Sequence, residues 1–378
     1  MSFVAGQGKT GRKASLPLAE LSASGDRGRM RGRGALTNRS GRHESIAREE
    51  IDDGWGDPEP LPPFRTQVTV EQPRRVITRN ASPDIAFDRS VNPYRGCEHG
   101  CVYCFARPTH ANMGLSPGLD FETRLFAKAD AAELLERELA NPRYEPAPIA
   151  LGTNTDPYQP IERERRITRG LIEVLARARH PFVIVTKSAL VVRDIDLIAP
   201  MAAQGLAKVA VSVTTLDPLL ARTMEPRAPT PARRIEAIGR LAQAGITVTV
   251  LMAPLIPGLN DHEMELIMER AHGAGAREAG YVVLRLPLEV RDLFQEWLAE
   301  HHPAKLRRVM ALVRGMRGGK DYDATWGERQ TGTGPYATLT ARRFEAASAR
   351  LGYPARRSKL RTDLFERPVL RGGQLALL

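Results

Sequence analysis

Cys97, Cys101 and Cys104 are the only cysteines in a chain of 378 residues, and all fall in one segment, NPYRGCEHGCVYCFARP. Their spacing, CxxxCxxC with the aromatic Tyr103 directly before the last cysteine, suits an iron–sulfur cubane. Four irons held by three thiolates leave one iron without a protein ligand, and an open metal position is where a substrate or cofactor binds. A [4Fe-4S] cluster is therefore expected here. The alternative is a structural zinc ion with His99 or His110 as fourth ligand. Zinc sites of that kind usually pair two ligand knuckles across a longer spacer, and this compact segment has one.

A cluster loop needs rigid elements to hold it. After Phe126 apolar strand-like runs alternate with amphipathic helical runs as far as His302. Strands are expected over 149–155, 182–187, 209–215, 247–255 and 281–286, each rich in β-branched residues, with a shorter one over 90–94 just before the cysteines. Between them ADAAELLERELAN, ERERRITRGLIEVLARAR, ARRIEAIGRLAQAG and DHEMELIMERAHGAG carry apolar residues at three and four spacing, the pattern of helices with one buried face. About six βα units of this kind imply an α/β fold with a parallel, barrel-like sheet covered on its outer face. Function should then collect at the carboxyl ends of the strands.

Outside that body the texture changes. Residues 1–64 are rich in Gly, Ser, Arg and Pro and are expected to form a mostly disordered basic arm. Residues 65–302 form the barrel, and residues 303–378 a helical extension with a basic tail, its helices in KLRRVMALVRGM and ATLTARRFEAASARL. The net charge of +11 sits at the ends: residues 1–50 hold 10 Lys and Arg against 5 acids, and residues 341–378 hold 9 against 3. Basic ends on a neutral body suit a polyanionic partner, nucleic acid first, or serve only solubility. No apolar run reaches the roughly 18 residues that cross a bilayer, and the cysteines are grouped for a metal and not for disulfides, so a cytoplasmic protein without membrane contact is expected.

The motifs GRGALTN, SVNPYRGCEHGCVYCFARPTH, LGTNTDPYQPIE, VTKS, VSVTTLD, EPRAPTPARR and APLIPGLND resemble the PA0069 family of radical S-adenosylmethionine (SAM) proteins. That group is similar in turn to spore photoproduct lyase and to photolyase-like repair proteins. The resemblance implies a partial (β/α)6 barrel of the TIM type and a [4Fe-4S] cluster whose open iron chelates SAM. It also implies cleavage of SAM to a 5′-deoxyadenosyl radical, and a reduced flavodoxin or ferredoxin-like electron donor.

By the same resemblance Gly152, Thr153 and Asn154, ending the second strand, support the SAM amino group, although the superfamily's usual Gly-Gly-Glu is absent. Lys187, ending the third strand, faces the SAM carboxylate. Ser212 and Thr214 on the fourth strand face the ribose, and Met252 on the fifth faces the adenine. Tyr103 stands beside the cofactor, and Arg227, with Glu225, reaches cofactor or substrate from the loop MEPRAPTP. Spore photoproduct lyase returns a hydrogen atom from a cysteine, and this chain has none to spare, so Tyr158 in TDPYQP is the candidate catalytic hydrogen donor. Asp261 is expected to cap a helix. The function expected is a SAM-cleaving enzyme that abstracts hydrogen from DNA or RNA for repair or modification. The alternatives are the same radical chemistry on a protein or small molecule, and a non-enzymatic zinc protein that binds nucleic acid.

Overall fold

The computed structural model describes residues 32–44, 64–356 and 358–370. Its strands are β1 (Gln67–Val70), β2 (Ile77–Arg79), β3 (Arg89–Val91), β4 (Tyr94–Arg95), β5 (Arg124–Ala127), β6 (Ile149–Leu151), β7 (Phe182–Thr186), β8 (Ala207–Ser212), β9 (Val248–Leu255) and β10 (Glu278–Val283). Seven of them make one sheet in the order β10-β9-β8-β7-β6-β3-β2. From β3 to β10 every pairing is parallel, and only β2 joins antiparallel. The six parallel strands correspond to the six βα units, and β2 and β10 stand at the two ends of the order. In a second, small sheet β1 and β4 flank β5.

The core follows from the helical periodicity. Helix Ile167–Arg177 buries Ile167, Leu171, Ile172, Val174 and Leu175, which join Ile149, Phe182, Ile184 and Val209 of the strands in one cluster. Each such side chain contributes about 1.5–3 kcal/mol on leaving water. Helix starts are marked locally: Asp217 caps helix Pro218–Met224 by accepting from the amides of Leu219 and Leu220, and proline opens both this helix and Pro231–Gln243.

The expected strands over 149–155 and 209–215 stop short, at Leu151 and Ser212. Gly152 ends β6 with φ of 93°, and a Cβ there would stand 2.2 Å from the Val185 carbonyl oxygen. Only glycine lets the chain leave the ladder so close to β7.

Parts of both termini are docked on the body. Within the arm read as mostly disordered, residues 32–44 are docked on the body: Ala35 is fully buried in a cluster with Leu119 and Leu293, and the backbone amides of Gly34 and Ala35 donate to buried Glu122. Composition does not show such long-range partners. Residues 1–31 and 45–63, including Arg27, Arg29 and Arg31, lie outside the described residues. The basic tail folds back over 358–370: Ser358 bonds Glu278, the Arg361 amide donates to Gly205, and the Glu366 amide to Ala178. These contacts lie at the amino ends of β10, β8 and β7, the face of the sheet opposite the cysteines. Residues 371–378 lie outside the described residues.

Candidate functional site

The cysteine loop leaves the sheet at the carboxyl end of β3, through β4, as the spacing required. Cys97 and Cys101 are buried, Cys104 half-buried, and all three are free thiols. Gly96 and Gly100, with φ of 75° and 67°, let the loop turn tightly just before the first and the second cysteine. The loop is pinned from the segment TDPYQP: Thr155 Oγ1 donates to the Gly96 carbonyl at 2.6 Å, and Gln159 Oε1 accepts the Glu98 amide at 2.8 Å. On the other side the Val102 amide donates to the Met224 carbonyl at 3.1 Å. Arg107, fully buried, donates to the carbonyls of Gly100, Cys101, Pro117 and Gly118.

Three free thiols on one short loop are a donor set that fits a metal cluster. Burial lifts the Cys97 and Cys101 thiols above their ordinary range; next in order, Asp156 adds to the rise at Cys97, while Lys187 pulls Cys101 down. Such thiols ionise when a metal supplies positive charge. The two histidines of the zinc alternative are each held by protein on one nitrogen: His110 Nε2 bonds the Arg124 carbonyl at 2.9 Å, and His99 Nδ1 lies 3.3 Å from Asp156 Oδ2, off hydrogen-bond alignment.

Asp156 joins the second and third parallel strands. Its Oδ1 accepts the Thr186 hydroxyl at 2.6 Å and its Oδ2 the Lys187 amide at 2.8 Å. Burial would raise this carboxyl, but His99, the Lys187 amide and the Thr186 hydroxyl outweigh it and hold it at about 2. Asn92 Oδ1, just past β3, accepts the amides of Thr153 and Asn154 at 3.1 and 2.9 Å, which fixes the turn after Gly152 and leaves Asn154 exposed. Lys187 is half-buried, with Nζ 5.6 Å from the centre of the Tyr103 ring. Among the described residues no carboxylate stands within ion-pairing distance of it. A half-buried cation beside the cysteines is free to take an anion.

Beyond Lys187 the wall is built on Glu225, whose carboxylate is fully buried and accepts from Tyr103 Oη, Thr214 Oγ1 and the Arg234 guanidinium. Burial raises its pKa against the pull of Arg234. Arg234 also donates to the carbonyls of Pro229 and Ser212. Arg227 Nη2 lies 3.4 Å from Glu98 Oε1, and Ser212 Oγ donates to the Ala253 carbonyl at 3.1 Å.

The structure thus brings Tyr103, Lys187, Thr214 and, through Glu98, Arg227 to the cysteine loop. Ser212, Thr214 and Met252 are buried, and the two hydroxyls are already engaged by protein. Tyr158 stands apart. Its ring is in the main core, 1% exposed, and its hydroxyl donates to Asp194 at 3.0 Å, so burial and carboxylate together keep it protonated. In this arrangement its hydroxyl is committed to Asp194. Asp261 is not the cap expected of it: it begins the turn Asp261–Glu263, ahead of helix Met264–Ala274, and its carboxylate accepts the Gly258 amide of the preceding loop at 2.8 Å.

Asp156, Gln159, Arg107, Glu122 and Arg234 escaped the sequence reading. One signal was available for Arg234: it lies on the stripe shared by Ile238 and Leu241, at helical spacing on a face that is otherwise apolar. An open hollow lined by Asn80, Ser82, Ile85, Phe87 and Pro148 lies at the amino ends of β3 and β6, away from this chemistry.

A sequence model of the Radical SAM superfamily matches residues 91–271. Uncharacterized proteins of Mycobacterium bovis and Mycobacterium tuberculosis are each 40% identical to this chain over 232 residues, 61% of this chain and 68% of theirs. An uncharacterized protein of Methanocaldococcus jannaschii is 28% identical over 175 residues, 46% of this chain and 62% of its own. Among solved structures, spore photoproduct lyase complexed with dinucleoside spore photoproduct aligns over 75% of this chain and 79% of its own, at 12% identity and a TM-score of 0.50, a likeness of fold.

Proposed function

This chain belongs to the radical SAM superfamily and is an enzyme of that kind, and on that premise we propose that Cys97, Cys101 and Cys104 hold a [4Fe-4S] cluster serving hydrogen abstraction from nucleic acid. Once bound, the cluster supplies the electron that breaks a C–S bond of SAM and releases a 5′-deoxyadenosyl radical. The observation that carries this reading is the free, half-buried Lys187 beside Tyr103 and Cys101, placed to neutralise the carboxylate of SAM. Asn154, exposed at the turn after Gly152, receives the SAM ammonium, and Thr153 holds that turn through Asn92. Buried Ser212, Thr214 and Met252 support the strand ends against which ribose and adenine lie. Arg227, half-exposed beside Glu98, turns toward the substrate.

Charge on the same face supports a nucleic-acid substrate, for repair or modification. Lys305, Arg307 and Arg308 are exposed on helix Pro303–Gly315 and form no ion pair among the described residues. That helix lies against the loop after β9, where Arg308 Nε and a Cβ placed on Gly258 would be 3.8 Å apart. Cations at the carboxyl ends of the strands neutralise phosphates near the cysteines, and Arg27, Arg29 and Arg31, outside the described residues, are further cations of the same chain. Electrons come from a reduced flavodoxin or ferredoxin-like donor, for which Phe105, 45% exposed and next to Cys104, offers an apolar contact.

The test is anaerobic incubation of the reconstituted enzyme with SAM and dithionite, alone and with intact or UV-irradiated DNA and RNA carrying deuterium. Deuterium transferred into 5′-deoxyadenosine supports the reading. Cleavage of SAM without transfer from any of these nucleic acids overturns the substrate class and points to a protein or small molecule.

A further inference from the structure

The segment 32–42, GRGALTNRSGR, has no part in the reaction above, yet it is fastened along its length. Gly34 and Ala35 donate their amides to the two oxygens of Glu122 at 2.9 and 2.8 Å. Asn38 and Asp120 bond each other twice, through the Asn38 side chain and the Asp120 amide and carboxylate. Ser116 Oγ donates to the Arg39 carbonyl, and Arg42 reaches Glu289 and Asn112. The fit is tight at the cysteine loop, where a Cβ on Gly34 would stand 1.8 Å from the Gly100 carbonyl oxygen.

Glu122 links this segment to the cysteines. It is fully buried and pairs with Arg107, equally buried, whose remaining N–H groups hold the carbonyls of Gly100 and Cys101. A buried ion pair is costly unless every lone pair and proton is used. Here the two amides of the segment complete the carboxylate. With the segment undocked, Glu122 loses two of its three donors, and the buried ion pair that holds the Arg107 guanidinium beside the cysteine loop is left incomplete.

We propose that residues 33–42 are a strap that holds the cysteine loop in its cluster-binding shape, with Glu122 as the positioning residue between strap and loop. The inference rests on the cysteines being cluster ligands, and it goes beyond that by making the N-terminal motif part of the cluster's support. Partners that orient ligands typically change metal affinity by about 10–100-fold when removed.

The experiment uses the full chain and three variants, Gly34→Ala, Asn38→Ala and Glu122→Gln, each reconstituted anaerobically. Three quantities are read: the rate of iron loss to excess chelator, the electron paramagnetic resonance spectrum of the reduced cluster, and the melting temperature of the iron-free protein. Tyr353→Phe, which removes the bond from Tyr353 Oη to the Met268 carbonyl far from the cysteines, is the control for a simple loss of stability. Expected are iron loss about 10-fold faster or more in the strap variants, a broadened spectrum, and wild-type iron kinetics in Tyr353→Phe at a comparable melting temperature. Asn38→Ala leaves both Glu122 and the cysteine loop intact, so it decides the matter if the other two fold poorly. Wild-type iron kinetics and spectrum in Asn38→Ala and Gly34→Ala overturn the strap while leaving the cluster standing. A wild-type chain that takes up no iron overturns the cluster reading and the strap with it.

Discussion

The hydroxyl of Tyr103 donates to Oε1 of Glu225, which ties the residue before the third cysteine to the loop beyond β8. The bond explains the aromatic position of the motif in this chain: the ring packs under Lys187 while the hydroxyl completes a buried carboxylate.

Removing donors from Glu225 has graded effects. Tyr103→Phe leaves Thr214 and Arg234 in place and should cost about 1–3 kcal/mol. Arg234→Met leaves a buried carboxylate without its countercharge and should cost about 3–5 kcal/mol. Urea unfolding of the iron-free protein measures both, and equal costs would deny that Arg234 is the countercharge.

Lys187→Ala should weaken SAM binding by about 1.5–3 kcal/mol, the worth of one charge-assisted bond, with iron content unchanged. Equilibrium binding to the reconstituted variant checks this. Unaltered affinity in a folded variant would take Lys187 out of the site.

Because Arg33 already bonds the carbonyls of Glu122 and Phe64, phosphate contacts from the arm must come from residues before it. Deleting residues 1–31 removes Arg27, Arg29 and Arg31 and keeps the strap. If each engages one phosphate of duplex DNA, the slope of log affinity against log salt should shrink by about 2.7, while SAM cleavage without substrate stays unchanged. An unchanged slope would put the phosphate contacts on the body.

His180 supplies a pH dependence of stability. It is fully buried between Tyr144 and Phe365, and burial, assisted by Arg89 against a bond to the Pro181 carbonyl, pushes its pKa down to about 4. Unfolded, it titrates near 6.5 and takes up a proton that the folded chain refuses. Its contribution is therefore complete above pH 6.5, declines as pH falls toward 4, and changes no further below. Between pH 7.5 and 5.5 the wild type should lose about 1 kcal/mol more than His180→Gln, measured by urea unfolding. Parallel curves would show that His180 is not held neutral.

The sequence disclosed what depends on local pattern. The cysteine loop was legible from spacing, and the parallel strands from runs such as Phe182–Thr186, because apolar periodicity reports burial directly. Strand ends were not, since Gly152 must turn away from Val185 for reasons that only packing shows. Glu122 and Asp156 carried no local signal, because their partners lie far away in sequence, as Gly34 does from Glu122 and Lys187 from Asp156. The burial of Tyr158 was hidden for the same reason: the Asp194 that holds its hydroxyl lies 36 residues away.

The cluster assignment is tested most directly by iron and sulfide analysis with SAM cleavage, on the anaerobically reconstituted wild type and on Cys97→Ala, Cys101→Ala and Cys104→Ala. Expected are about four irons and four sulfides per wild-type chain, with 5′-deoxyadenosine formed, and no cleavage by any of the three variants. One zinc and no iron in the wild type, or full cleavage by two of the variants, would contradict it.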